Sequence, residues 1–340
     1  MKRLLVSLGL VATVVALATG QSVVSSGLLL GLRSGDSYST VWIAPQNGKL
    51  TARKGKDVLV PRKSGWWRVG LATTAQKTLD NELTTIATLW ATTIQNKGLG
   101  KTSFEADCQE TSTDTLLFVH EQYLALENTG SGFCKGAAHP WSVSVLEVRS
   151  LDVLGRAGNT KNITNPEPNT LEIGTVLGQN TQKQFIAAGE RFYRNLPTEK
   201  QEFFEKSPSS TNWAMIRRNG QWVMRGRLGY AYEAVRNVCC IDFDSGINPK
   251  SLVGHDQLAV SWANLKAKYP KMIDAFSSPN KDVLFTIEPN KLLAFALQNG
   301  KLGGVLLSLP FKDPVSPVMI EWANPGSVAR WTKELGSYLK

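Results

Sequence analysis

Trp141, Val143 and Val145 alternate with Ser142 and Ser144, the period of two expected of a half-buried strand. The same reading predicts short strands over residues 38–44, 58–61 and 66–71, with turns at Asn47-Gly48 and Ser64-Gly65. Further strands are predicted over 115–120 and 122–127, and over Trp222, Met224, Leu228, Tyr230 and Tyr232, which alternate with Arg225 and Arg227. Residues 283–288 and 292–298 read as a hairpin about Pro289-Asn290. Asn299-Gly300 is a two-residue turn leading into 302–309, and 318–322 is one more strand.

Helical spacing occurs in fewer places. Leu79, Leu83, Ile86, Trp90 and Ile94 recur at intervals of three and four, which predicts a helix over 74–96 ended by Gly98. Residues 181–195 place Phe185, Ile186, Phe192 and Tyr193 on one side. Thr198 and Gln201 fit a capping box that opens a second helix. Residues 260–269 stop before Pro270, and 327–339 form a closing helix. Strands and helices come in runs rather than in alternation. This predicts an α+β fold: antiparallel sheets with several packed helices. The Gly/Asn/Pro-rich stretch 155–170 divides a strand-rich region with one helix (33–154) from an α+β region (171–340), as two units or one continuous domain.

The first twenty residues change the picture of where this fold works. Lys2 and Arg3 precede the uncharged run Leu4 to Ala18, which closes on Ala16-Leu17-Ala18. That order is a secretory signal over residues 1–20, cut after Ala18 or Gly20. The alternative is an uncleaved anchor, since no charge appears from Leu4 to Leu32. Either way the remainder is expected outside the cytoplasm, and the membrane enters only through that N-terminal segment.

Composition then narrows the class. Of 340 residues, 42% are hydrophobic and 19% charged, enough apolar surface to offset chain entropy and exclude bulk disorder. The formal charge is +10. Lys49, Arg53, Lys54, Lys56, Arg62, Lys63 and Arg68 are opposed only by Asp57, and Arg217, Arg218, Arg225 and Arg227 form a second group. An exported basic surface meets anionic envelope polymers, lipid headgroups or stray nucleic acid, and no specific nucleic acid is expected as a partner. Trp66 and Trp67 point to opposite faces of a strand, so one indole beside Arg62, Lys63 and Arg68 can serve a ligand. Arg62, Lys63, Trp66, Trp67 and Arg68 are therefore the candidate ligand-binding residues.

The four cysteines, Cys108, Cys134, Cys239 and Cys240, read as disulfides in an oxidising compartment and allow three pairings. Cys108 and Cys134 bracket a run of short strands and are expected to bond across a sheet. Adjacent Cys239 and Cys240 would need a strained link to bond to each other.

Catalytic and metal signatures fail one after another. His120-Glu121 starts a zincin pattern, but Leu124 stands where the second ligand belongs. Asp242-Phe243-Asp244-Ser245-Gly246 has its glycine one position early for a calcium loop. There is no G-x-S-x-G elbow. No cofactor is implied.

One segment resembles a known family. The strand from Thr113 to Val119, the strand Tyr123-Leu124-Ala125-Leu126-Glu127, the turn Gly136-Ala137-Ala138-His139-Pro140 and a strand ending at Leu151-Asp152 are similar to the extracytoplasmic domain marked by a Gly-Gly-Ala-His turn. That domain occurs in lysozyme-binding anti-sigma factors and beside peptidoglycan deacetylases. Residues 283–288, 292–297 and 306–311 resemble its C-terminal strands. Here Lys135-Gly136-Ala137-Ala138-His139 stands in place of its turn. The resemblance implies an envelope module in which Gly136 makes a tight turn and His139 packs there. The expected function is a non-catalytic binding or sensing module that contacts an anionic envelope polymer or another envelope protein. The alternative is an envelope hydrolase using His139, His255 or the Asp242/Asp244 pair.

Overall fold

The computed structural model describes residues 24–77, 83–96, 102–105, 108–134, 141–157, 170–231 and 239–340. The chain opens with β1 (Gly27–Ser34), β2 (Ser37–Gln46) and β3 (Lys49–Lys56). A second, seven-stranded sheet follows: β4 (Val58–Arg62), β5 (Gly65–Lys77), β6 (Leu83–Thr93), β7 (Thr102–Glu105), β8 (Cys108–Val119), β9 (Tyr123–Cys134) and β10 (Trp141–Ser150). Next come α1 (Leu151–Ala157), α2 (Ile173–Leu177), α3 (Gln179–Arg194) and α4 (Thr198–Gln201). The third sheet is β11 (Trp213–Arg218), β12 (Gln221–Gly229) and β13 (Cys240–Asp244). After α5 (Trp262–Lys268), the fourth holds β14 (Asp274–Ser277), β15 (Val283–Glu288), β16 (Lys291–Gln298) and β17 (Lys301–Pro310). Finally β18 (Ser316–Ala323) returns to the first sheet, in order β18-β1-β2-β3, and α6 (Pro325–Leu335) closes the chain.

The four sheets follow one another as four blades of a β-propeller arrangement, closed where the last strand pairs with the first. Strands take up 52% of the chain and helices 18%, which overturns the α+β expectation of several packed helices. The largest single correction is the helix over 74–96. That stretch holds the end of β5 and all of β6, paired antiparallel with Ile86 opposite Thr74 and Trp90 opposite Gly70. Ile86, Trp90 and Ile94 are four apart, an interval that fits a strand's period of two as well as a helix turn. Thr84, Thr85, Thr88, Thr92 and Thr93 tip the balance, because β-branched side chains fit the pleated surface better. The capping box also fails. α4 is one turn long with Pro197 at its N-cap, and the Gln201 amide instead donates to the Leu196 carbonyl (2.8 Å).

Three hairpins are set by Asn-Gly pairs with both residues at positive φ: Asn47-Gly48 (51° and 75°), Asn219-Gly220 (51° and 78°) and Asn299-Gly300 (50° and 73°). Two successive left-handed residues match the twist of the flanking strands, and Asn and Gly tolerate them best.

Apolar clusters bind neighbouring blades. Leu29, Trp42, Leu59, Leu89 and Leu116 join the first blade to the second. Phe118, Leu146, Trp213, Trp222 and Phe243, with Phe185 of α3, join the second to the third. Leu28, Leu30, Ile43, Phe276 and Phe285 join the fourth to the first. β1 therefore buries both faces, Leu29 on one and Leu28, Leu30 and Leu32 on the other, which is why it reads as an unbroken apolar run. Its four leucines, which end the uncharged stretch to Leu32, belong to a strand of the first sheet. No helix among the described residues is long and apolar enough to cross a membrane.

Cys108 and Cys134 are direct cross-strand partners in the β8–β9 ladder. Opposite residues of an antiparallel pair have Cα atoms about 4.5–5.5 Å apart, inside the range of about 4.4–6.8 Å that a disulfide accepts. The adjacent Cys239 and Cys240 have Cα atoms 3.8 Å apart, short of the separation of about 4.4–6.8 Å that a disulfide usually spans. Non-reducing peptide mapping is expected to recover one peptide pair linking Cys108 to Cys134. A fragment joining either of them to Cys239 or Cys240 would refute it.

Candidate binding groove

Four distant parts of the chain build one groove, one of them contributing only Gly254 from the segment between β13 and α5. The β4–β5 hairpin supplies Arg62, Lys63 and Trp66, the β8–β9 turn supplies His120 and Glu121, and β18 with α6 supplies Glu321, Trp322, Arg330, Trp331 and Glu334. Its volume is about 660 Å³.

α6 is held against this face by local and remote contacts. Asn324 caps it by accepting from the Ser327 N–H (3.0 Å), and Pro325 follows at the first helical position. The chain end adds to the free edge of β3: Lys54 N–H donates to the Lys340 carbonyl and Lys340 N–H to the Lys54 carbonyl, both at 2.9 Å. An aromatic chain runs inward. Trp66 meets Trp331 edge to face at 5.2 Å, and Trp331 packs on Trp42 at 5.7 Å. Trp66 Nε1 donates to Glu334 Oε2 (2.8 Å) and Trp42 Nε1 to Thr332 Oγ1 (3.1 Å), so both indole N–H groups are satisfied.

The expected alternation at Trp66-Trp67 splits the predicted site. Trp66 enters the groove. Trp67 lies on the other face of β5 beneath the Arg62 guanidinium, 4.3 Å from the ring centre, and packs against the core shared with the first blade. Arg62 also pairs with Asp152 at 2.9 Å. Arg68 is taken up within its own blade: it donates to the Asn96 carbonyl (2.7 Å), faces Asp57 (3.5 Å) and lies over Trp90 (5.5 Å). Of the five predicted residues, Arg62, Lys63 and Trp66 line the groove, and Trp67 and Arg68 do not. Gly136 and His139 lie outside the described residues.

The charges are mixed. Lys63 and Arg330 are exposed, and neither has an ion-pair partner among the described residues. The Glu321 carboxyl likewise has no hydrogen-bond or ion-pair partner among them. Burial, and secondarily the nearby Glu121 charge, push its carboxyl up from 4.5 to about 7, although part of the residue still faces solvent in the groove. Burial also lowers the His120 imidazole, opposed by Glu121, and its Nδ1 accepts from the Gln122 N–H (3.3 Å). His120 is thus neutral near pH 7.

The other suspected chemistry is absorbed by ion pairs. Asp242 accepts from Arg227 at 2.6 Å and faces Arg225 at 3.4 Å, while Asp244 pairs with Arg218. His255 does not line the groove, and its Nε2 is buried without a hydrogen-bond partner among the described residues. No group of three or more metal-ligating side chains occurs among the described residues. Sequence reasoning missed Glu321, Arg330, Trp331 and Glu334. The strand over 318–322 and the closing helix were visible, but nothing local ties them to a hairpin some 260 residues earlier.

No family model and no curated protein matches the chain. Among solved structures, a crystal structure of a nidogen/laminin complex aligns with 88% of this chain and 99% of that chain, at 9% identity and a TM-score of 0.22. A likeness that low carries no argument about either fold or role.

Proposed function

We propose that the protein is an exported binding or sensing module that holds an anionic envelope polymer along this groove. One observation carries the reading: two unpaired exposed cations, Lys63 and Arg330, share a 660 Å³ groove with Trp66 and Trp331. Cations steer an anionic chain into place, and indole faces supply desolvated contact area. The resemblance to envelope domains agrees with this compartment.

The test uses a poly(glycerol phosphate) polymer and the double variant Lys63→Glu/Arg330→Glu. Both side chains are exposed, so the fold is expected to survive. Binding should weaken about tenfold or more, and wild-type binding should fall with salt as the screening length shortens to roughly 8 Å at physiological strength. Binding should also weaken as pH rises through 7, because Glu321 then adds its charge to Glu121 and Glu334. His120, its imidazole lowered by burial, stays neutral. Unchanged binding in the double variant would end this reading.

A second reading, an envelope hydrolase, is favoured by the Glu321 carboxyl. It keeps its proton to about pH 7 beside His120 and Glu121 in the same groove. Shortened polymer after incubation with wild type, but not with Glu321→Gln, would select it over pure binding.

A further inference from the structure

A second cavity, of about 340 Å³, shares no lining residue with the groove. It lies where the blades converge. Arg33 of β1 and Val318 of β18 come from the first sheet, Leu116 of β8 from the second, Ile216 and Arg218 of β11 with Arg225 of β12 from the third, and Asp274 of β14 from the fourth. Propeller arrangements leave their central opening at such a junction.

Its polar lining is rich in donors. Arg33 has no ion-pair partner among the described residues. Among the described residues Arg225 touches Asp242 only at 3.4 Å and Asp244 at 3.8 Å, and its buried Nε–H makes no hydrogen bond there. A buried donor without an acceptor has given up its hydrogen bond to water for nothing in return, so such a group calls for a partner. Arg218 pairs with Asp244 yet keeps 56% of its side chain exposed. Arg217 is already satisfied. Asp274, the one carboxylate that lines the cavity, spends both oxygens on Arg217 and on the Ala275 N–H. Asp242, Asp244 and Asp256, the other acids that pair these arginines, do not line it. The cavity is also lined by apolar residues: Ile216 is half-buried and Ile273 is exposed by 46%, whereas Leu116 and Val318 are fully buried.

We propose that this central cavity binds a small organic carboxylate. The carboxylate sits on Arg33 and Arg225, and the hydrocarbon body lies against Ile216 and Ile273. Guanidinium groups bind carboxylates through paired, charge-assisted hydrogen bonds, and an apolar wall with a few convergent donors is the usual make-up of a small-molecule site.

Benzoate, acetate and chloride, at equal ionic strength, are the probes, read by thermal shift and calorimetry. Benzoate should bind more tightly than acetate, and chloride should give no saturable effect. Arg33→Gln and Arg225→Gln should each raise the benzoate Kd about tenfold or more. Lys63→Glu/Arg330→Glu should leave it unchanged, which separates this cavity from the groove. Circular dichroism and the melting temperature without benzoate show whether each variant folds, and Arg33→Lys serves as a milder replacement if the glutamine variant does not. The proposal is overturned if benzoate gives no saturable binding, or if its Kd is the same in wild type and in the folded Arg33 and Arg225 variants.

Discussion

Replacing Arg217 by methionine is expected to destabilise the fold by about 3–5 kcal/mol, the usual consequence of stripping a buried charge pair of one partner. Arg217 is 7% exposed and its side chain spans two blades. Its Nε and one terminal nitrogen donate to both oxygens of Asp274 (2.9 and 2.8 Å), and the other terminal nitrogen donates to Asp256 (2.7 Å). It also donates to the Ala275 carbonyl (3.0 Å) and lies over Trp222 (5.1 Å). Burial alone would lower its pKa, but Asp274 and Asp256 reverse that and raise it. None of the four apolar clusters contains residues of both the third and the fourth sheets. The seam between those blades therefore rests on this ion pair to an unusual degree. Methionine keeps much of the volume and removes the charge, leaving Asp274, 6% exposed, without its counter-ion. Urea unfolding at neutral pH measures the loss. Adding Asp274→Asn and Asp256→Asn should restore part of it, because neutral amides no longer need compensation. A midpoint equal to wild type in Arg217→Met would show that the seam is held elsewhere.

Arg217, Arg218, Arg225 and Arg227 show why charge is hard to read from a linear chain. Arg225 and Arg227 alternate with apolar residues on β12, which looks like a solvent-facing row. In the fold Arg227 is 7% exposed and contacts Asp242 of β13 and Glu127 of β9. The neutralising acids come from other strands, so the local run appears uncompensated. Elements set by local chemistry were legible. The β16–β17 turn at Asn299-Gly300, the β2–β3 turn at Asn47-Gly48 and the amphipathic α3 all follow from residues a few positions apart. Blade closure was not. β1 pairs with β18 across nearly the whole chain, and its apolar run merges with the uncharged segment before it. The groove divides the same way. Trp66 and Lys63 stand out because aromatic and basic residues cluster there, whereas Trp331 and Glu321 reach the site only through the return of β18 and α6.

The Glu321→Gln variant is expected to be more stable than wild type at pH 8 by about 2–3 kcal/mol, and close to it at pH 4.5. Glu321 sits on β18 opposite Leu29, and its carboxyl is raised from 4.5 to about 7, first by burial and then by Glu121. Below 4.5 both folded and unfolded chains hold the proton, and the contribution of the neutral carboxyl is fully present. Between 4.5 and 7 the unfolded chain has released its proton while the folded chain still binds one. Stability therefore falls as pH rises through that window, and the contribution is gone above 7. A rise of this size corresponds to roughly 3 kcal/mol, reduced where solvent reaches the group. Glutamine keeps the shape and cannot ionise, so the variant should lose this slope. The measurement is urea unfolding of both proteins at pH 4.5, 6 and 8, read as the difference between them. The difference should widen with each step in pH. If it stays constant across the three, Glu321 is not the group that resists ionisation, and its place as the proton-holding residue of the groove is lost.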